Sequence, residues 1–260
     1  MEPARPLSEQ TLLIVGGTSG VGLATAVAAA EAGVPRVALV GRNADRGGEA
    51  RARVLMVAPD AHVEFFAGDG NDPQAAASVV EQTNTQLGPV TALVTCTAGS
   101  FLPQLVHRMS AADLPAMLAE QALGPIVMSH AVLPTMTENG GGAIVNVASD
   151  AAKVATPGEA VLGAAMAAIV MFSRTLAMEA KRNGIRVNAV TPSLIENTGV
   201  YDTVMADEFT AKLFGKAATM ASLGVAQPED LAGLILFLIS PAGARLTGQA
   251  ISLNGGISAA

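Results

Sequence analysis

Short apolar runs alternate with longer Ala-rich stretches along the whole chain. Seven β-branched-rich runs are predicted to be buried strands: Thr11–Val15, Arg36–Val40, His62–Phe66, Ala92–Thr95, Ala143–Val147, Ile185–Val190 and Ala250–Leu253. The stretches between them are predicted to be helices: Val21–Ala32, Asp45–Val57, Pro73–Leu87, Ala111–Met136, Glu159–Arg182 and Glu229–Ile239. Helix caps are expected at Asn43 or Asp45, at Asp72 before Pro73, at Ser110 and at Pro228. This alternation predicts one doubly wound α/β domain over residues 1–260, with about seven parallel strands and helices on both faces.

The segment from Gly199 to Leu223 departs from the alternation. It gathers bulky side chains after a predicted strand, namely Tyr201, Met205, Phe209, Phe214 and Met220. Folds of this class place ligand lids beyond the carboxyl ends of their strands. We therefore expect a substrate lid within residues 193–223, although an extra helix packed for stability fits the pattern equally well.

Composition narrows the class of protein. Half of the residues are apolar, 14% are charged, and the mean hydropathy is +0.44, which excludes a disordered chain. With 15 Lys and Arg against 22 Asp and Glu, no basic excess favours nucleic-acid binding. One cysteine, Cys96, and three scattered histidines offer neither a disulfide nor a metal-ligand spacing, so we expect no metal and a reducing, cytoplasmic location. The polar start Met1–Gln10 predicts no signal peptide, and glycines in the uncharged run Gln10–Ala30 argue against a membrane span.

A glycine-rich turn carries the clearest chemical signal. In Leu12–Gly22, LLIVGGTSGVG, a strand leads through Gly16 to a helix that begins near Gly20. Glycines at 16, 20 and 22 let the backbone turn sharply and approach a pyrophosphate at a helix N-terminus. The turn follows the first strand of an alternating pattern, which indicates a dinucleotide site.

The end of the second predicted strand bears on cofactor choice. A carboxylate is usual here when NAD is preferred, but this chain has Gly41 followed by Arg42. A guanidinium suits the 2′-phosphate of NADP(H), which favours NADP(H) over NAD(H). The alternative is a solvated arginine at the start of a helix, and Arg46 nearby weakens the inference.

Together these motifs resemble the single-domain short-chain dehydrogenase/reductase family from Leu12 to Gly256. The shared motifs are Gly16-x-x-x-Gly20-x-Gly22, Asp69, the Ala-Gly of Cys96-Thr97-Ala98-Gly99, the strand Ile144–Ser149, the stretch Gly184–Pro192, and the C-terminal Leu246–Gln249 and Asn254–Gly256. The resemblance implies a Rossmann-like fold. It also implies cofactor contacts from Gly16, Thr18, Ser19, Gly20, Val21, Gly22, Arg42, Asn43, Asp69, Gly70, Ala98, Gly99, Pro192 and Ile195.

The same resemblance exposes an absence among the catalytic positions. The family's catalytic serine is matched by Ser149, but its Tyr-x-x-x-Lys pair falls on Leu162 and Met166, and its helix asparagine on Gln121. The single tyrosine of the chain, Tyr201, has no lysine four residues later. Since a tyrosine beside an ammonium group would supply the proton for carbonyl reduction, the family's usual mechanism cannot operate here.

Four residues are candidates to replace the missing proton donor: Tyr201, Lys153, Glu159 and His107. Each is also a plausible solvated or packing residue. Ser149 itself has two readings, a hydrogen bond to a ligand carbonyl or a turn cap, and Cys96 is expected to be a packed thiol.

The predicted helix Glu159–Arg182 is apolar nearly all round, so we expect it to be buried or at an interface. In the family this helix pairs subunits, which implies a homo-oligomer or a hetero-oligomer with a related subunit. Three functions remain open. They are NADP(H)-dependent oxidation or reduction of a carbonyl or alcohol with an atypical site, a catalytically silent subunit that binds nucleotide or a small hydrophobic ligand, and non-redox elimination or isomerisation.

Overall fold

Parallel strands form the centre of the structure, a computed structural model that describes residues 4–259. The strands are β1 Thr11–Val15, β2 Arg36–Gly41, β3 His62–Ala67, β4 Ala92–Thr95, β5 Gly142–Val147, β6 Ile185–Pro192 and β7 Ala250–Leu253. The helices are α1 Gly20–Glu31, α2 Ala44–Val57, α3 Pro73–Gln86, α4 Leu114–Glu138, α5 Ala160–Ala180, α6 Gly199–Ala206, α7 Glu208–Met220 and α8 Pro228–Ile239. Over residues 4–259 the strand order is β3-β2-β1-β4-β5-β6-β7, with every neighbouring pair parallel. The predicted doubly wound α/β fold is confirmed.

Two apolar layers hold the helices to the sheet. Successive side chains along a strand point into opposite layers. In β1, Leu12 and Ile14 face one core, and Leu13 and Val15 face the other. Buried residues of α1, α2 and α8 complete the first core, and buried residues of α3, α4 and α5 complete the second. Because both faces are covered, all five residues of β1 are buried, as a central parallel strand requires.

Two predicted helix caps are confirmed and two are wrong. Asn43 and Asp72 accept hydrogen bonds from the backbone N–H groups of Arg46 and Gln74. Ser110 does not cap α4, which begins at Leu114 with Asp113 at the N-cap. The reason is Pro115, which fits a first helical turn but would cost a hydrogen bond inside a helix that began at residue 111.

Pro228 is also not a cap. It is the first residue of α8, and Gln227 precedes it as the N-cap. The side chain of Asp230 accepts from the backbone N–H of Gln227, in a capping box. Proline suits this position because its missing N–H would have no helical partner there.

Two helices in residues 4–259 are long and apolar enough to cross a membrane by length and composition, namely α4 and the stretch from Ala160 to Asn183. Buried helices of water-soluble proteins pass the same test, and these two pack against each other and the sheet. The run Gln10–Ala30 is divided between β1, the glycine turn and α1, as its glycines predicted.

Candidate active site

The glycine turn between β1 and α1 packs so closely that Gly16 and Gly22 have no room for a side chain. Gly16 has φ +78°, and a methyl group on it would lie 2.4 Å from the carbonyl oxygen of Cys96. A methyl group on Gly22 would lie 2.2 Å from the carbonyl oxygen of Gly16. The backbone N–H groups of Gly16 and Gly17 donate to the carbonyl oxygen of Val40, which ties the turn to β2. The sequence pattern therefore corresponds to a tight backbone cradle.

The start of α1 leaves its backbone donors available to an anion. Ser19 is exposed and occupies the N-cap position, but its side chain makes no capping hydrogen bond. Gly20 lies at the turn and Val21 is buried against the core. A helix N-terminus whose N–H groups lack a side-chain cap, approached through glycines, has the chemistry that a pyrophosphate requires. The residues present fit a dinucleotide.

At the carboxyl end of β2, Thr18 lies against the position of Gly41. A methyl group on Gly41 would come within 2.9 Å of Thr18 Cγ2 and 3.2 Å of its Oγ1. Arg42 follows with an exposed side chain, and no carboxylate in residues 4–259 pairs with it. Asn43 is occupied as the cap of α2, where its Oδ1 accepts from Arg46 N at 2.9 Å. Arg42 thus directly follows the residue that packs against Thr18, and the side-chain oxygen of Asn43 is occupied as the helix cap.

Two further turns border the same edge of the sheet. Asp69 is half-buried, and its Oδ1 accepts from the backbone N–H of Asn71 at 3.0 Å. Gly70 is buried against Val15, since a methyl group there would lie 2.7 Å from Val15 Cγ1. After β4, Ala98 is exposed and Gly99 donates its N–H to Gln121 Oε1 at 3.3 Å. The sequence positions expected to contact a cofactor therefore lie along the carboxyl ends of β1, β2, β3 and β4.

Ser149 begins the turn that follows β5. Its Oγ accepts from the backbone N–H of Ala151 at 3.2 Å, so the hydroxyl caps the short 3₁₀ turn Asp150–Ala152. A hydroxyl that accepts in this way keeps its own proton for donation. The two sequence readings are therefore compatible, because one Ser149 side chain can cap the turn and donate to a ligand carbonyl.

Gln121 lies on α4 opposite this turn and faces the Ala-Gly segment. A methyl group on Gly99 would lie 2.4 Å from Gln121 Nε2. Four residues later, Pro125 lacks the N–H that would normally donate to the Gln121 carbonyl. Gln121 thus supports the loop after β4 through its side chain, while its backbone carbonyl loses its usual helical donor.

Leu162 and Met166 make this region apolar. Met166 is 5% exposed and shares a buried cluster with Ala122, Ala148 and Ala165, with Leu162 packed against it. Leu162 also lines a narrow cleft together with Phe101, Leu102, Pro103, Met109, Met117, Gln121, Gly158 and Val161. Among the described residues that line that cleft, only Gln121 has a polar side chain. The structure therefore brings Gln121, Ser149, Leu162 and Met166 to one region, because Ala122 and Ala148 are the chain neighbours of Gln121 and Ser149.

Lys153 does not face that cleft. Its Nζ lies 3.6 Å from Asp150 Oδ1 and donates to Ser252 Oγ and to the Ala250 carbonyl on β7. None of the four candidate replacement donors is among the described residues that line the cleft. His107 is exposed on a short 3₁₀ turn, and Tyr201 is half-buried in the first turn of α6.

Glu159 differs from the other three candidates in its burial. It precedes α5 as the N-cap and is 8% exposed. Burial raises the pKa of the Glu159 carboxyl above its ordinary value, and a hydrogen bond from Thr156 only partly offsets that rise. Glu159 lies three residues before Leu162, at the start of the same helix.

Cys96 is a packed thiol, as expected. It follows β4 directly, its backbone N–H donates to the Val15 carbonyl, and its side chain packs against the first core. Burial raises the pKa of the Cys96 thiol to about 12. Since the thiolate is the nucleophile, this raised pKa lowers the reactivity of the side chain.

The segment after β6 passes over the glycine turn. Pro192 is buried at the end of β6, and Ile195 forms a parallel bridge with Ala226. Thr198 then caps α6, and its Cγ2 would lie 3.4 Å from a methyl group on Gly20. The contact with Gly20 was missed by sequence reasoning; the only signal was a threonine just before a helix.

Two buried polar atoms were also missed. Asn71 Oδ1 and Thr97 Oγ1 have no hydrogen-bond partner among the described residues, and both face Gly124 of α4. A methyl group on Gly124 would lie 3.2 Å from the first atom and 3.3 Å from the second. No sequence motif distinguishes these two positions.

A parallel sheet with a glycine-rich turn between β1 and α1 is typical of dinucleotide-binding α/β proteins. Over residues 15–258 the chain matches the family model described as enoyl-(acyl carrier protein) reductase. It is 33% identical over 257 residues to 2-(S)-hydroxypropyl-CoM dehydrogenase 3 of Xanthobacter autotrophicus, covering 97% of this chain and 98% of the relative. It is 30% identical over 257 residues to the 3-oxoacyl-[acyl-carrier-protein] reductase of Thermotoga maritima, covering 96% of this chain and 98% of that one.

Solved structures agree with these relatives. Levodione reductase superposes with a TM-score of 0.90 at 26% identity, covering 97% of this chain and 98% of that chain. The 7α-hydroxysteroid dehydrogenase complexed with NADH and 7-oxo glycochenodeoxycholic acid gives a TM-score of 0.86 at 25% identity, covering 96% and 95%. The chain belongs to the short-chain dehydrogenase/reductase family, whose members among these relatives are oxidoreductases.

Proposed function

We propose that this protein binds NADP(H) at the β1–α1 turn and oxidises or reduces a small hydrophobic alcohol or carbonyl compound through an atypical active site. The observation that carries the proposal is the backbone cradle, in which Gly16 and Gly22 approach neighbouring backbone too closely for any side chain. The uncapped start of α1 supports it, since its N–H groups suit a pyrophosphate. The nicotinamide would supply or accept the hydride.

NADP(H) rather than NAD(H) is proposed because of Arg42. Its exposed guanidinium follows β2 where NAD-preferring folds place a carboxylate. Thermal unfolding of the protein alone, with NADPH and with NADH tests this. We expect stabilisation by NADPH of about 2.7 kcal/mol at a hundredfold excess over the dissociation constant.

The variant Arg42→Asp should reverse the preference, because its carboxylate repels a 2′-phosphate and accepts from a ribose hydroxyl. Arg46→Asp is the matched control, since Arg46 is an exposed arginine in the first turn of the same helix. Two results would contradict the assignment: stabilisation of the native chain by NADH but not by NADPH, or an equal change of cofactor preference in Arg42→Asp and Arg46→Asp.

The chain's own residues suit a carbonyl ligand at Ser149. The Oγ proton of Ser149 is available for donation, and Gln121 holds the loop after β4 against α4. The apolar lining around Leu162 excludes water and favours a hydrophobic ligand. We propose residues 193–223, which include α6 and α7, as the lid over this ligand.

Turnover is tested with NADPH and a broad panel of ketones, following loss of nicotinamide absorbance. We expect slow turnover that falls further in Ser149→Ala. The same panel in Glu159→Gln tests whether that carboxyl supplies the proton. Turnover absent for every ketone, in a protein that binds NADPH, would count against catalysis.

A catalytically silent binding subunit is the second candidate. Leu162 and Met166 favour it, because Met166 lies in a buried apolar cluster, with Leu162 packed against it, where a proton donor would be needed. The exposed face of α5 also carries Met171 and Met178, both 60% exposed, and suits a subunit partner. Purification from the native source should then yield a complex with an active relative, whereas a homo-oligomer with turnover would exclude this reading.

Non-redox elimination or isomerisation in the same cleft is a third, weaker candidate. Product analysis without a change in nicotinamide absorbance would identify it.

A further inference from the structure

The turn that carries Ser149 is attached to the C-terminal end of the chain through one buried carboxylate. Asp150 is 4% exposed, and its Oδ1 accepts from Ser252 Oγ at 2.7 Å. Its Oδ2 accepts from Ser258 Oγ at 3.0 Å and from Asn254 Nδ2. Lys153 Nζ lies 3.6 Å from Oδ1. Both carboxylate oxygens are therefore occupied by groups that donate.

The residues on the far side of this carboxylate form a closed turn, Asn254–Ser258. Asn254 Nδ2 also donates to Ser258 Oγ at 2.9 Å, and Asn254 Oδ1 accepts from the backbone N–H of Gly256 at 3.0 Å. The turn is thus held by its own asparagine as well as by Asp150.

The same turn contacts the end of the α6–α7 segment. The backbone N–H of Leu223 donates to the Gly255 carbonyl at 3.0 Å. Gly255 has φ +66°, and a methyl group on it would lie 1.8 Å from the Gly224 carbonyl oxygen. The chain just after α7 therefore rests directly on the backbone of the turn.

We propose that Asp150 and the turn Asn254–Ser258 form one anchor, which fixes the Ser149 turn relative to the C-terminal end of the α6–α7 segment. Asp150 is then a positioning residue. It holds the turn that carries Ser149, and through the turn Asn254–Ser258 it holds the end of the lid, so both would be fixed relative to a ligand. The roles of Ser149 and of the lid rest on the function proposed above, whereas the mechanical connection does not.

The charge of Asp150 is needed for this connection. Burial on its own would raise the pKa of the Asp150 carboxyl, but hydrogen bonds from Asn254, Ser252 and Ser258 outweigh burial and hold that pKa below its ordinary value. An amide at this position would turn an NH₂ group toward one set of donors. Asp150→Asn therefore keeps the shape and breaks the hydrogen-bond pattern.

Hydrogen exchange measured by mass spectrometry on the full chain, without ligand or cofactor, tests the connection. In Asp150→Asn we expect exchange to rise at least about tenfold together in residues 148–153, 221–226 and 252–259, with β1 unchanged. Asp60→Asn is the matched control at an exposed turn and should change none of these segments. Ser258→Ala removes one donor to Asp150 and should show the same pattern more weakly. It provides the test if Asp150→Asn folds poorly.

Asp150→Glu separates charge from packing, because it keeps the carboxylate. We expect it to restore part of the protection in residues 221–226. Faster exchange confined to residues 148–153, faster exchange throughout the sheet, or an equal loss in Asp150→Glu and Asp150→Asn would each overturn the proposal. Since no nucleotide is present, failure here is distinct from failure to find NADPH binding or turnover.

Discussion

Restoring a proton donor on α5 is the most direct test of how the site works. The variant Leu162→Tyr with Met166→Lys places a phenol in the cleft and an ammonium one helical turn further on, because residues four apart share a helix face. A positioned general acid is worth roughly 10²- to 10⁴-fold in rate, or about 3–5 kcal/mol of barrier. We expect a gain of that size in NADPH-dependent ketone reduction.

The structure also predicts the cost of this change. Met166 is 5% exposed inside an apolar cluster, so replacing it forfeits about 1.5–3 kcal/mol of burial and places a charge where water is scarce. Against a typical stability of about 5–15 kcal/mol, the variant should fold with a lower melting temperature. Circular dichroism and NADPH-induced stabilisation therefore come before any rate measurement.

The matched control is Leu162→Phe with Met166→Lys, which has the same ring without the hydroxyl. A rate at least 100-fold higher for the tyrosine form would assign the gain to the phenol proton. Equal rates in the two forms, or a native chain that already turns over as fast as the tyrosine form, would refute the reasoning and show that another group supplies the proton.

Three further outcomes follow from particular contacts. Gly22→Ala should abolish stabilisation by NADPH in thermal unfolding, because its methyl group would lie 2.2 Å from a backbone oxygen. Gly48→Ala is the control, because a methyl group there meets nothing within 4 Å. NADPH stabilisation retained in Gly22→Ala would be inconsistent with the cradle. Glu159 has a folded-state pKa raised by burial, so its folded form binds the proton more tightly, and stability falls as pH rises from the unfolded value of 4.5 through the raised folded value. Glu159→Gln should remove that fall, so in chemical denaturation at neutral pH its free energy of unfolding should exceed that of the native chain. A lower free energy of unfolding in Glu159→Gln would contradict this prediction. Met171→Glu should shift any oligomer toward monomer in light scattering, since Met171 is 60% exposed on α5, whereas Met56→Glu on α2, where Met56 is 80% exposed, should not.

The sequence predicted the sheet well because each strand is a short apolar run between polar turns. All seven runs became strands in residues 4–259, with one end extended by one residue at β2, β3 and β5 and by two residues at β6. The errors lie at helix starts that a proline determines. Because of Pro115, α4 begins at Leu114 rather than at Ala111, and α8 begins at Pro228 itself rather than at Glu229. Local propensity predicts that a helix exists more reliably than where it begins.

The site was predictable in part for a different reason. The glycine cradle is encoded locally, so Gly16, Gly20 and Gly22 could be identified from spacing alone. Asp150 could not, because its partners Ser252, Asn254 and Ser258 lie about a hundred residues away and carry no motif that links them to it. Lys153 was expected as a possible proton donor, but that same carboxylate and β7 hold it elsewhere.

The lone sulfhydryl after β4 gives the molecule a built-in reporter of local opening. Burial raises the pKa of the Cys96 thiol, so the reactive thiolate is scarce at neutral pH and an alkylating reagent reacts slowly while the native packing holds. The rate of labelling would then measure how often the structure opens locally at the carboxyl ends of β1 and β4. A bound nucleotide that clamps this edge would slow the labelling, with no engineered probe required.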